Sequence, residues 1–303
     1  MNRTNSLSRA LEVISDPWSW LVIKEAFLGT TRFQDFQEHL QIPRQTLIAR
    51  LTRLADEEIF YKSPVYNRRL LFEYRLSAKG FDIYPVVLAV WRWHRIWHLD
   101  PEILPENLYH TVCNQPMVPN LVCTGCREEP VIGSIEAKNL SEDKAELQPA
   151  TTRRVRIANA LAAFGDAHLA TLVLGDAWNM LILDAATRNV TQFHELQKYL
   201  GISSNVLSVR LKPLVHLGLL SISLNEKDRR IKHYELTKKG QDIYPIILTL
   251  TSWGDRWLNG SNGPSQVFIH SPCGTYASYE MVCGTCNQRL FVDEISQAPL
   301  TSP

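Results

Sequence analysis

At 303 residues, with 45% apolar and 21% charged side chains, the chain has the composition of a globular protein with room for about two domains, which sets aside disordered and fibrous architectures. A formal net charge of +1 neither demands nor excludes a nucleic-acid partner, because a binding face needs local clusters of Lys and Arg rather than a basic total. The N-terminal stretch lacks the apolar run of a secretory signal and no segment reaches membrane-spanning length, so a cytoplasmic protein with no membrane partner is expected.

Leu7 to Ile14 reads as an opening helix, and from Trp20 to Phe27 apolar residues recur at helical spacing until Gly29-Thr30-Thr31 supplies a stop and a new N-cap. A second helix starts near Arg32, with Phe33, Phe36 and Leu40 as one buried stripe, and Gln41-Ile42-Pro43 ends it. The segment RQTLIARLTRL then buries Leu47, Leu51 and Leu54 and leaves Arg44, Gln45, Thr46, Ile48, Arg50 and Arg53 around its remaining surface. Two short helices joined by a tight turn, the second polar and basic near its start, form the arrangement that lays a helix in the DNA major groove. Ile59-Phe60-Tyr61 and Phe72-Glu73-Tyr74-Arg75-Leu76 are rich in β-formers and flank a basic tip, Asn67-Arg68-Arg69, so they predict a wing whose cations suit phosphate or minor-groove contact. Ser77 to Trp97 is predicted as one helix carrying Tyr84, Val87, Leu88, Trp91 and Trp93 on an apolar face too wide for a lone small domain, which implies an interface. Trp18, Trp178, Trp93 and Trp253 are expected in core or interface rather than stacked on a ligand.

The polar stretch from Ala137 to Thr152, with Pro149, predicts an exposed linker, and Arg153 to Ala163 predicts a helix opening a second unit. That unit repeats the first: a shift of 160 residues brings Trp18 onto Trp178, Phe33 onto Phe193, Arg50-Leu51 onto Arg210-Leu211, and Asp82-Ile83-Tyr84-Pro85 onto Asp242-Ile243-Tyr244-Pro245. The period is far longer than that of solenoid repeats, so each copy should be a domain in its own right. In the second copy FHELQKYL is the supporting helix, GISS the turn and NVLSVRLKPLVHLG the reading helix, in which Pro213 requires a kink or a restart. The second wing has strands Leu220 to Leu224 and Lys232 to Leu236 and a tip containing Lys227, Arg229 and Arg230.

Each copy closes with H-x2-C-x9-C-x2-C, which places His110, Cys113, Cys123 and Cys126 in the first and His270, Cys273, Cys283 and Cys286 in the second, and uses all six cysteines. A reducing compartment disfavours disulfides, and three cysteines cannot all pair within one copy. Two ligands from one short turn and two from another suit a tetrahedral Cys3His site, so two structural Zn²⁺ ions are expected, one held within each copy across a small hairpin.

The ordered set of a Trp-containing helix, a helix-turn-helix, a wing ending in YRLSAKG or YELTKKG, and a Tyr-Pro plus Trp helix resembles the HxlR family of bacterial winged-helix regulators. The resemblance covers roughly residues 6 to 97 and again 166 to 257. It implies pairing through the first and last helices, DNA binding by the third helix and wing, and action as a repressor or activator. Many members carry a thiol-sensing cysteine just before the first helix; Asn5 and Gly165 stand there instead, which removes that chemistry from the expectation.

The expected fold class is therefore mainly α with small β wings (α+β): two winged helix-turn-helix domains, each followed by a small zinc-ribbon-like hairpin module. The expected boundaries are 1–100 and 101–136 for the first domain and module, 137–152 for the linker, and 153–260 and 261–303 for the second pair. The expected partner is double-stranded DNA, read by Arg44, Gln45, Thr46, Ser203, Ser204, Asn205 and Ser208 and held by Arg53, Arg68, Arg69, Lys227, Arg229 and Arg230. Arg50 and Arg210 suit either a phosphate contact or an ion pair holding the helix. The two copies would act as an intramolecular pseudo-dimer or pair between chains in a homodimer, with reading heads one DNA turn, about 34 Å, apart and the effector unknown. The alternatives are a winged-helix protein-interaction scaffold and a zinc enzyme; no nucleophile with a base, phosphate loop or open metal site supports the latter.

Overall fold

The structure, a computed structural model, describes residues 6–64, 72–97, 107–139, 174–225, 228–259 and 266–298. Arg68, Arg69, Lys227, most of the expected linker and the helix expected at Arg153 to Ala163 lie outside the described residues. The first copy comprises helices α1 (Ser6–Ile14), α2 (Pro17–Phe27), α3 (Phe33–Leu40) and α4 (Arg44–Asp56), a hairpin of β1 (Phe60–Pro64) and β2 (Phe72–Leu76), and helices α5 (Ala78–Phe81) and α6 (Tyr84–Ile96). The second repeats it as α7 (Ala177–Thr187), α8 (Phe193–Leu200), α9 (Ser204–His216), β7 (Leu220–Leu224), β8 (Lys232–Leu236), α10 (Lys238–Gln241) and α11 (Tyr244–Trp257). Between and after them come β3 (Leu108–His110), β4 (Gln115–Met117), β5 (Pro119–Cys123) and β6 (Ile135–Asn139), then β9 (Gln266–His270), β10 (Thr275–Tyr276), β11 (Tyr279–Cys283) and β12 (Ile295–Ser296). No helix among the described residues is long and apolar enough to cross a membrane.

The segment expected as one helix from Ser77 to Trp97 is two. Ser77 caps a single short turn by accepting from the Gly80 N–H at 3.0 Å, and the chain restarts at Tyr84, with Pro85 in the first turn where a missing N–H costs nothing. Thr237 and Pro245 repeat the break in the second copy. By contrast, α9 runs on past Pro213; the acceptor that loses its donor there is the carbonyl of Val209, on the exposed side of the helix.

One hydrophobic core runs through both copies, joining Leu11, Trp20, Phe36, Leu47 and Trp93 of the first to Met180, Leu196, Leu207, Ile246 and Trp253 of the second. The last helices meet with two-fold character: Trp93 Nε1 donates to the Lys239 carbonyl at 3.0 Å, and Trp253 Nε1 donates to the Lys79 carbonyl at 2.9 Å. Trp97 and Trp257 likewise donate to Asp242 and Asp82, at 3.2 and 2.7 Å. Helix α1 crosses from the first copy onto α11 of the second, where Ser6 Oγ donates to Asp255 at 2.5 Å. A Cβ at Gly254 would meet the Ser6 carbonyl oxygen at 2.2 Å, so the crossing needs glycine there.

The hairpins after each copy are not separate modules. Strand β5 pairs antiparallel with β11 from Tyr279↔Cys123 to Cys283↔Pro119, β6 pairs with β9, and β12 pairs with β3. Three ladders thus cross from one copy to the other, over a second apolar cluster that includes Leu88, Trp91, Met117, Leu121, Leu248, Met281 and Leu290. The stretch 137–139, expected to begin the linker, is the end of β6, paired with β9 through Asn139↔Gln266.

Candidate nucleic-acid interface and metal centres

The two helices expected to read DNA, α4 and α9, are held from behind by identical leucine triplets. Leu47, Leu51 and Leu54 of α4, and Leu207, Leu211 and Leu214 of α9, are buried, so the opposite faces point outward. Each helix follows a tight turn through the left-handed region, at Gln41 (φ 48°) and Gly201 (φ 64°). Arg44 and Gln45 are exposed at the start of α4, with Thr46 half-buried behind them and the Arg44 guanidinium 5.2 Å from the Phe33 ring. On α9, Ser204 and Asn205 are exposed and Ser208 is half-buried, while Ser203 is the N-cap, its Oγ accepting from the Val206 N–H at 3.4 Å. Two apolar residues also stand on these faces without having been singled out as contacts: Ile48 is 46% exposed and Val209 55%.

Arg50 and Arg210 each form an ion pair within the chain. Arg50 Nε donates to Asp16 at 2.6 Å with its side chain 21% exposed, and Arg210 reaches Asp176 at 3.2 Å with its side chain 15% exposed. Both carboxylates are N-caps, Asp16 of α2 accepting from the Ser19 N–H at 3.0 Å and Asp176 of α7 accepting from the Trp178 N–H at 2.9 Å. Each pair therefore ties the start of one helix to the middle of the reading helix. The signal was legible, since Asp16 and Asp176 recur at the same 160-residue offset as the arginines. Arg53 turns back to the Glu12 carbonyl of α1. In the second wing Arg229 and Arg230 are exposed, and Arg230 also pairs with Asp228 at 2.9 Å, which lowers the Asp228 pKa through their side-chain hydrogen bond.

The eight metal-ligand candidates form two groups, but each group draws on both copies. His110 and Cys113 meet Cys283 and Cys286, and His270 and Cys273 meet Cys123 and Cys126, with all ligand atoms in a group within 4.8 Å of one another. The expectation of one site within each copy is corrected, and the cause is the β5–β11 ladder, which carries each C-x2-C turn across to the other copy's H-x2-C turn. A Cβ at Gly284, in the second of these turns, would lie 2.5 Å from the Val118 carbonyl of the first copy.

The geometry suits a four-coordinate thiophilic ion. Sulfurs about 2.3 Å from a tetrahedral Zn²⁺ sit about 3.8 Å apart, and here Cys113 and Cys283 lie 4.0 Å apart and Cys123 and Cys273 3.9 Å apart. His110 Nδ1 is 3.2 Å from Cys286 Sγ and 3.5 Å from Cys113 Sγ; His270 Nδ1 is 3.4 Å from both Cys126 and Cys273. The Cys273 thiol is pulled down to about 6, chiefly by its hydrogen bond with the Thr275 hydroxyl, which favours the thiolate a metal requires. Both imidazoles are fully buried and, among the described residues, neither Nε2 has a hydrogen-bond partner, although Glu294 lies 3.6 Å from that of His110.

The sequence matches the family described as HxlR-like helix-turn-helix at residues 13–101 and again at 173–262. The HTH-type transcriptional regulator Rv3095 of Mycobacterium tuberculosis, itself uncharacterized, is 34% identical over 138 residues, 46% of this chain and 84% of the relative. Mb3122 of Mycobacterium bovis matches to the same extent. YvaP of Bacillus subtilis, likewise an uncharacterized HTH-type transcriptional regulator, is 32% identical over 91 residues, 29% of this chain and 83% of the relative.

Proposed function

The chain belongs to the HxlR-like helix-turn-helix family, and on that premise we propose that it is a DNA-binding transcriptional regulator whose two copies act together as a pseudo-dimer within one chain. The observation that carries this reading is the pair of leucine-backed helices, α4 and α9, with their opposite faces open to solvent and a shared core behind them.

In this reading the exposed polar side chains Arg44, Gln45, Ser204 and Asn205 enter successive major grooves, where hydrogen bonds to base edges specify sequence. Ile48 and Val209 supply apolar surface that fits thymine methyl groups. The wing cations Arg68, Arg69, Lys227, Arg229 and Arg230 contact the phosphate backbone and fix register without reading bases. Arg50 and Arg210 orient the reading helices through Asp16 and Asp176 rather than touching DNA.

The two Cys3His groups would hold Zn²⁺ as a structural ion, since four protein ligands leave no open coordination position. Because each group takes two ligands from each copy, the ions would clasp the copies to each other and fix the spacing of the two reading heads. The proposal is tested by fluorescence anisotropy on duplex DNA taken from upstream of the protein's own gene. Affinity should fall steeply as salt rises from 50 to 200 mM, on the order of a hundredfold or more for several phosphate contacts; salt-insensitive or absent binding would refute it and favour a protein-interaction scaffold.

A further inference from the structure

The two halves of the molecule depart from their internal symmetry where the second copy opens a cavity of about 360 Å³ between its winged-helix domain and the metal-bearing strands. Thr187, Thr251 and Ala277 line it. The 160-residue shift places Phe27, Trp91 and Met117 at those positions in the first copy. There Trp91 and Met117 are buried in the second apolar cluster, and the Phe27 ring packs 5.3 Å from that of Tyr84. The same space is thus packed with side chains on one side of the pseudo-dyad and left open on the other.

The polar groups around the cavity are also peculiar to the second copy. Tyr279, Asp184 and Arg188 stand where the first copy has Pro119, Lys24 and Leu28. Arg188 binds both carboxylate oxygens of Asp184, at 3.2 and 3.3 Å, so neither charge is left over. Asp255, at the rim, already accepts from Ser6 and from Asn259. The Tyr279 hydroxyl is buried and has no partner among the described residues, so this residue meets the cavity with its ring. The rest of the wall includes Tyr244, Phe268, Ile247 and Leu248.

We propose that this cavity is a small-molecule effector site for an uncharged aromatic compound of one or two rings. The aromatic and aliphatic wall takes the rings. An anionic ligand is disfavoured because the Arg188 guanidinium in the lining is already bound to Asp184, and Asp255 adds a carboxylate that no lining cation neutralises. The site lies on a route to the DNA face: Asp184 and Thr187 belong to the last turn of α7, whose N-cap Asp176 is ion-paired to Arg210 of the reading helix. The consequence for DNA binding rests on the function proposed above, whereas the ligand site itself does not.

The test uses the full metal-loaded chain with 2-naphthol as probe and 2-naphthoate as its charged counterpart, followed by calorimetry in the absence of DNA. The expected result is saturable binding of 2-naphthol at one site per chain and at least tenfold weaker binding of 2-naphthoate. Thr251→Trp and Ala277→Met, which install the first copy's residues, should each abolish binding, with retained metal content showing that the variant is folded. No binding of 2-naphthol, equal binding of the two probes, or binding that survives both filling substitutions would overturn the site. Probe binding as expected by a chain that fails to bind DNA supports the site and counts against the regulator reading instead; probe binding with unchanged affinity for a bound DNA overturns the coupling.

Discussion

Serine substitutions made two cysteines at a time distinguish the two ways of sharing the ligands. Cys113→Ser with Cys283→Ser strikes one cluster twice and leaves Cys123, Cys126, His270 and Cys273 intact. Cys113→Ser with Cys126→Ser, both in the first copy, takes one ligand from each cluster. If a complete site binds with on the order of 10 kcal/mol or more, each thiolate contributes roughly a quarter, about 3 kcal/mol, or about a hundredfold in affinity. Dialysis against a chelator of intermediate strength, followed by elemental analysis, should leave two zinc ions per chain in the unaltered protein. One should remain in the first variant and essentially none in the second. The reverse order, with one ion retained by Cys113→Ser, Cys126→Ser and none by Cys113→Ser, Cys283→Ser, would refute the cross-copy arrangement and restore one site per copy.

The helix-tethering role of Arg50 implies that Arg50→Ala leaves a buried Asp16 carboxylate without its guanidinium; a loss of about 2 kcal/mol in denaturant unfolding is expected, and no loss would show the pair to be idle. Gly254→Val forces a side chain into the Ser6 carbonyl and should cost about 1–3 kcal/mol and loosen α1, read as faster amide exchange across Ser6–Ile14, whereas unchanged exchange would contradict the close crossing. Arg44→Ala should relax base preference at one half-site, while Arg229→Ala with Arg230→Ala should weaken all sequences alike and flatten the salt dependence; equal losses from both on specific and random DNA would remove the division of labour.

Much of this architecture is legible in the sequence because its elements are local. The strands of the second wing fall at Leu220–Leu224 and Lys232–Leu236 as β-propensity and turn residues predict, and the leucine triplets of the reading helices follow from helical periodicity. The ligand residues stand out by their spacing, but their partners do not. The two copies carry the same H-x2-C-x9-C-x2-C spacing, so a site closed within a copy and one closed across copies look alike until the β5–β11 ladder brings distant strands together. The same ladders explain why 137–139 is strand rather than linker: its polar composition says nothing of β9, which lies more than a hundred residues away. The two-part last helix was signalled by Pro85, which would break a continuous helix from Ser77 but fits a first turn, although the apolar pattern runs on through it. Arg50 and Arg210 show the limit for charge: a cation on a reading helix carries the same letter whether it meets phosphate or a neighbouring carboxylate.

The most direct measurement is a selection of bound duplexes from a random pool, with native mass spectrometry of the winning complex. Two unlike half-sites about one helical turn apart, occupied by a single chain, are expected, because α4 begins with Arg44, Gln45 and Thr46 whereas α9 begins with Ser204, Asn205 and Val206. A strictly palindromic site bound by two chains would contradict the pseudo-dimer, and a pool that yields no enriched sequence would contradict DNA reading altogether.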